Sequence, residues 1–181
     1  MKKTTRNLSI WAIIVLCLLM IPKVAMQYSN EVNWDLTDFV LMGSILFGMG
    51  VIYEFISRKS NLTVYRAALA VAILSAFLLF WVNAAVGIIG SEDQPANLLF
   101  GAVFIVGLAG VAVSRFRAKG MSKTMFAAAI VQMLVPIAAL LIWPPSVASW
   151  APGIFGVFMM CGFFATLFVV SALLFRHASD A

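Results

Sequence analysis

Long apolar runs alternate with short polar breaks from one end of this chain to the other. Six such runs cover residues 8–26, 39–56, 67–89, 98–113, 125–143 and 154–175. About 20 predominantly apolar residues cross the hydrocarbon core of a bilayer as a helix. Within lipid the backbone must satisfy its own hydrogen bonds, so a spanning segment is a helix or part of a closed barrel. Barrel strands are about 10 residues long and alternate apolar with polar. These runs are longer and continuous. The pattern therefore predicts an all-α integral membrane bundle of six transmembrane helices, forming a single transmembrane domain over 1–181.

The breaks carry start and stop signals. Asp35, Thr37 and Asp38 precede the second run, where an acid or hydroxyl caps free amides and suits the positive end of the helix dipole. Pro95 and Pro152 lead into the fourth and sixth runs, and proline suits a first helical turn. Trp143 followed by Pro144 and Pro145 ends the fifth. Pro22 and Pro136 lie inside the first and fifth runs, where a missing amide proton favours a kink.

Charge then orients the spans. Of 181 residues, 64% are hydrophobic and only 10% charged, with a net charge of +5. Lys2, Lys3 and Arg6 precede the first run. Arg58, Lys59 and Arg66 follow the second. Arg115, Arg117, Lys119 and Lys123 follow the fourth, and Arg176 follows the sixth. With six crossings all of these fall on one side, and only Lys23 falls on the other. The opposite breaks hold Glu31, Asp35, Asp38, Glu92 and Asp93. The positive-inside rule predicts both termini in the cytoplasm. The basic start and short apolar core of the first run also fit a signal peptide. Lys23 sits where a cleavage site wants a small residue, so a retained first helix is expected; cleavage would leave five. Basic residues beside apolar runs meet lipid headgroups, which makes membrane lipid the expected partner and not nucleic acid.

Little chemistry is legible. Cys17 and Cys161 lie inside apolar runs and form no CxxC pair. His177 is the single histidine and lies near the C-terminus, which argues against a histidine-held zinc or haem. No cofactor is expected. The sequences at Asn7 and Asn61 match the glycosylation pattern but fall on the expected cytoplasmic side. Ser57-Arg58 and Ser114-Arg115 end two runs alike, which hints at a duplicated helical hairpin.

Six polar residues form the candidate polar site: Asn83, Glu92, Asp93, Asn97, Gln132 and Glu54. Asn83 is an amide inside the expected third span, with Gly87 and Gly90 on roughly the same face. It reads either as a helix contact closed by a tight turn or as one wall of a small pocket with Glu92, Asp93 and Asn97. Gln132 has the same two readings, with Pro136 removing the usual donor to its carbonyl. Glu54 is the one carboxylate inside a run. Its i, i+4 spacing to Arg58 predicts a boundary salt bridge, with a cation or proton site as the alternative. The acids Glu31, Asp35, Asp38, Glu92 and Asp93 match no calcium loop.

Residues 81–97, with Trp81, Asn83, Gly87, Gly90, Glu92, Asp93 and Asn97, resemble a segment of a group of small uncharacterised bacterial multipass inner-membrane proteins. The resemblance implies the bacterial cytoplasmic (inner) membrane and carries no activity. The expected role is a non-enzymatic accessory or partner-binding subunit, in contact with another membrane protein or a second copy. The alternative is a small oligomeric transporter or channel with a polar site near Asn83.

Overall fold

In the computed structural model, residues 2–28 and 33–181 are described, with the side chains of residues 2–5 excepted. Glu31 and the side chains of Lys2 and Lys3 lie outside the described residues. All regular structure among them is helical. The helices are α1 (Lys2–Tyr28), α2 (Leu36–Ser57), α3 (Thr63–Ala85), α4 (Gly101–Ser114), α5 (Ala118–Ile142) and α6 (Ile154–Asp180), with a 3-10 helix, Pro95–Phe100, leading into α4. Six spans among the described residues are long and apolar enough to cross a membrane. The chain folds as two compact units, Met1–Arg58 and Lys59–Ala181.

The first unit is an antiparallel helical hairpin. Asn7 meets Glu54, Trp11 meets Tyr53 and Lys23 lies over Phe39, so α1 and α2 run past each other in steady register. Gly50 makes this possible: a Cβ there would come within 2.6 Å of the Trp11 ring. Asp35 and Asp38 form a reciprocal capping box at the start of α2, at 3.0 and 2.9 Å, which satisfies two otherwise unpaired amides. Most α1 side chains are open to the surroundings, as a lipid-facing helix requires.

The second unit packs α6 between α3 and α5, and α5 between α6 and α4. Its seams follow a seven-residue repeat. Buried positions on α5 fall at Met121, Met125, Ala128, Gln132, Val135 and Ala139, in alternating steps of four and three. On α6 they fall at Val157, Cys161, Phe164, Phe168, Ser171 and Phe175. On α3 they are Tyr65, Ala68, Ala72, Ser75 and Leu79. Such spacing keeps one stripe facing a neighbour and gives knobs-into-holes packing. Two serines bond across the seams: Ser171 Oγ donates to the Ala68 carbonyl at 2.9 Å and Ser122 Oγ to the Ala172 carbonyl at 2.8 Å.

Helix bounds differ from the hydropathy expectation for physical reasons. The third span was expected through residue 89 but α3 stops at Ala85, because Gly87 and Gly90 take φ of 72° and 75°, which no helix accommodates. The fourth run, 98–113, is the shortest of the six. The 3-10 turn preceding it rises about 2 Å per residue, so the six 3-10 and fourteen α residues together reach about 33 Å. Helix α5 begins at Ala118 instead of 125, and α6 ends at Asp180 instead of 175. Polar residues at a span's end leave the hydrocarbon without leaving the helix, so hydropathy alone misplaces those ends.

Candidate functional site

The turn between α3 and α4 is built around one side chain. Asn97 is 4% exposed. Its Oδ1 accepts from the amides of Ile88 and Ile89, at 3.1 and 3.0 Å. Its Nδ2 donates to the carbonyls of Ile89 and Ser91, at 3.1 and 2.6 Å. A primary amide offers two donors and an acceptor with two lone pairs, so its capacity is used up. Asn83 Nδ2 then donates to the Asn97 carbonyl at 3.2 Å, tying the last turn of α3 to the same hub. Because α3 ends at Ala85, Asn83 sits close to its end. Its Oδ1 is buried with no partner among the described residues.

Ile88, Ile89 and Ala96 are buried beneath this network and plug the end of the unit. A second loop closes over them. The Gly90 amide donates to the Ala151 carbonyl at 3.1 Å, and a Cβ at Gly90 would lie 2.8 Å from the Ser149 carbonyl oxygen. Trp150 is buried and its indole donates to the Trp143 carbonyl at 2.8 Å. The Ala151–Pro152 bond is cis. Gly87 and Gly90 thus serve as turn residues with close backbone neighbours, beyond the end of α3 instead of on its face.

The other candidates do not join this cluster through hydrogen bonds. Glu92 and Asp93 are exposed on the turn. Gln132 lies mid-span on α5, 0% exposed, with Nε2 and Oε1 both lacking a partner among the described residues. Pro136, also buried, has no amide proton to give the Gln132 carbonyl. α5 is helical across this step, and its polar groups there are enclosed. Glu54 belongs to the first unit. It receives Arg58 Nη2 at 2.8 Å and Asn7 Nδ2 at 3.1 Å to each oxygen. The salt bridge expected from i, i+4 spacing is therefore present. Asn7, noted in the sequence only as a glycosylation pattern, is its partner across the hairpin.

Among the described residues no three of His, Cys, Asp and Glu are grouped to hold a metal ion. Asp35 and Asp38 are engaged in capping α2.

At the other end of the second unit the α4–α5 turn carries two consecutive non-glycine residues in the left-handed region, Arg115 at φ 49° and Phe116 at 63°. Tyr65 holds it in place: its hydroxyl donates to the Phe116 carbonyl at 2.7 Å and its ring packs edge-on against Phe175. Gly120 lets the turn close, since a Cβ there would meet Ser114 Cβ at 2.5 Å. Arg66, Arg115, Arg117, Lys119, Lys123 and Arg176 consequently gather at this end, opposite Glu92 and Asp93. Neither of the two left-handed positions is a glycine, so the sequence does not mark them.

Comparison with family models, with curated proteins and with solved structures finds no match to this chain.

Proposed function

We propose that the protein is a non-enzymatic multipass component of the bacterial cytoplasmic membrane, acting as an accessory or partner-binding subunit. The observation that carries this reading is the use made of polar groups at membrane depth. Ionisable groups in membrane helices are costly and mark ion paths and catalytic sites. Glu54, the acid within a span, is taken up by Arg58 and Asn7. Asn97 is consumed by the turn it organises. Ser75 and Ser171 bond to helix carbonyls. Among the described residues the Gln132 amide and Asn83 Oδ1 remain unpartnered, in a scaffold with apolar flanks.

Gathering cations at one end of the second unit and acids at the other supports a cytoplasmic position for the basic end, and with it both termini. The resemblance of residues 81–97 supports the bacterial inner membrane. Reporter fusions at residue 181 and in the 92–93 turn should report opposite compartments.

The functional test is purification of the full chain in mild detergent. A reproducible partner, or a second copy, supports the accessory reading. Partner-free monomer that moves a solute across liposomes overturns it. A small oligomeric transporter or channel is the second reading, and it draws on the orphaned amide atoms of Gln132 and Asn83. Flux that survives Asn83→Leu and Glu54→Gln together would remove those residues from any pathway.

A further inference from the structure

The α4–α5 turn borders an open cleft of about 420 Å³. Arg115, Arg117, Lys119 and Lys123 line it, together with Ser114 and Val113. No acidic side chain lines the cleft, and none of the four cations makes a salt bridge among the described residues. Four like charges around one opening repel one another, and an anion between them would relieve that repulsion. The backbone reinforces the sign. Helix α5 starts at this cleft, and its N-cap position, Arg117, provides no side-chain cap. The first amides of a 25-residue helix therefore add partial positive charge at the same place.

The wall of the cleft indicates the source of the anion. Val113 is 85% exposed, and further along α4 Leu108 and Ile105 are 73% and 68% exposed. An apolar surface thus continues from the cations along a membrane-spanning helix. A soluble phosphate has no use for it, whereas an acyl chain does. Arg115 and Phe116 hold their left-handed backbone without glycine, so a charged side chain is retained where glycine would relax the turn.

We propose that this cleft binds the phosphate headgroup of an anionic phospholipid, with an acyl chain lying along α4. Arginine and lysine would hold the phosphate oxygens, and the basic pockets of membrane helices bind headgroups in this way. The inference rests on the membrane-spanning reading. It does not rest on orientation or on the accessory role.

The test uses the purified full chain in mild detergent and native mass spectrometry. The probes are phosphatidylglycerol and phosphatidylcholine of identical acyl composition. Phosphatidylglycerol should bind as a single retained lipid in clear preference to phosphatidylcholine. Lys119→Gln with Lys123→Gln should weaken it about 25-fold, roughly fivefold per cation removed. Arginine at both positions should keep binding within about threefold, since the charge remains. Lys59→Gln with Arg176→Gln removes the same charge elsewhere and should change binding less than about twofold. Should the glutamine pair fail to elute as folded protein, Arg117→Gln alone should still show the fivefold loss. Equal binding of the two lipids, an equal loss in the Lys59/Arg176 control, or displacement of the lipid by low-millimolar inorganic phosphate would each overturn the proposal.

Discussion

Asn97 and Gln132 are buried primary amides in the same helical unit, and they end in opposite states. Asn97 sits where the chain turns, beside backbone that no helix has claimed. Four loop amides and carbonyls need partners there, and one side chain supplies all four. Gln132 sits mid-span, where helix backbone groups are paired within their own helices; the carbonyl that Pro136 leaves without a donor is its own, and its side chain does not bond it. Its amide finds no partner among the described residues, although it occupies a seam position like Met125 and Ala128. Depth alone does not decide what a polar residue contributes in a membrane helix. The supply of unpaired backbone around it does.

Four substitutions bear on this contrast. Asn97→Leu should have the largest effect. It strands the amides of Ile88 and Ile89 and the carbonyls of Ile89 and Ser91, and each buried orphan costs about 1–3 kcal/mol. Some regain water at the exposed turn, so a net loss of about 3–5 kcal/mol is expected, measured by thermal or denaturant unfolding in a fixed detergent. Gln132→Leu should move the other way. It removes two unpaired polar atoms at nearly constant volume and should stabilise by about 1–3 kcal/mol in the same assay. Asn83→Ala should lose less than about 1 kcal/mol. Its bond to the Asn97 carbonyl disappears, and so does the unpartnered Oδ1, while membrane hydrogen bonds average about 0.6 kcal/mol. Glu54→Gln should change stability least, by under about 1 kcal/mol. Its partner Arg58 is 46% exposed, so solvent screens the pair, and a glutamine oxygen can still accept from Asn7.

The spans were legible because about twenty apolar residues in a row admit few structures in lipid. Their ends were less so. Hydropathy reads the solvent around a helix and not the helix itself, which is why α5 starts seven residues before its apolar run. It also cannot see a positive φ, so it extends the third span past Gly87, where the chain turns. Within the site, Asn97 and Gln132 were both visible as polar residues worth testing. Their difference was not visible, because a composition pattern says nothing about which carbonyls lie within 3 Å. The pairing of Asn7 is invisible for the same reason: only the hairpin register places it against Glu54. The i, i+4 pair of Glu54 and Arg58 was readable because helix geometry alone brings those two together. The bend at the cleft beside Lys119 has Arg115 and Phe116 at its left-handed positions instead of glycine, and Tyr65, about fifty residues away, holds it.

The most direct test compares the melting of Asn97→Leu and Gln132→Leu with the parent chain in one detergent. Changes of opposite sign are expected, a sharp fall for the first and a rise for the second. A fall for both would mean that Gln132 has a partner holding it at mid-span, and the claim that unpaired backbone decides the value of a buried amide would fail.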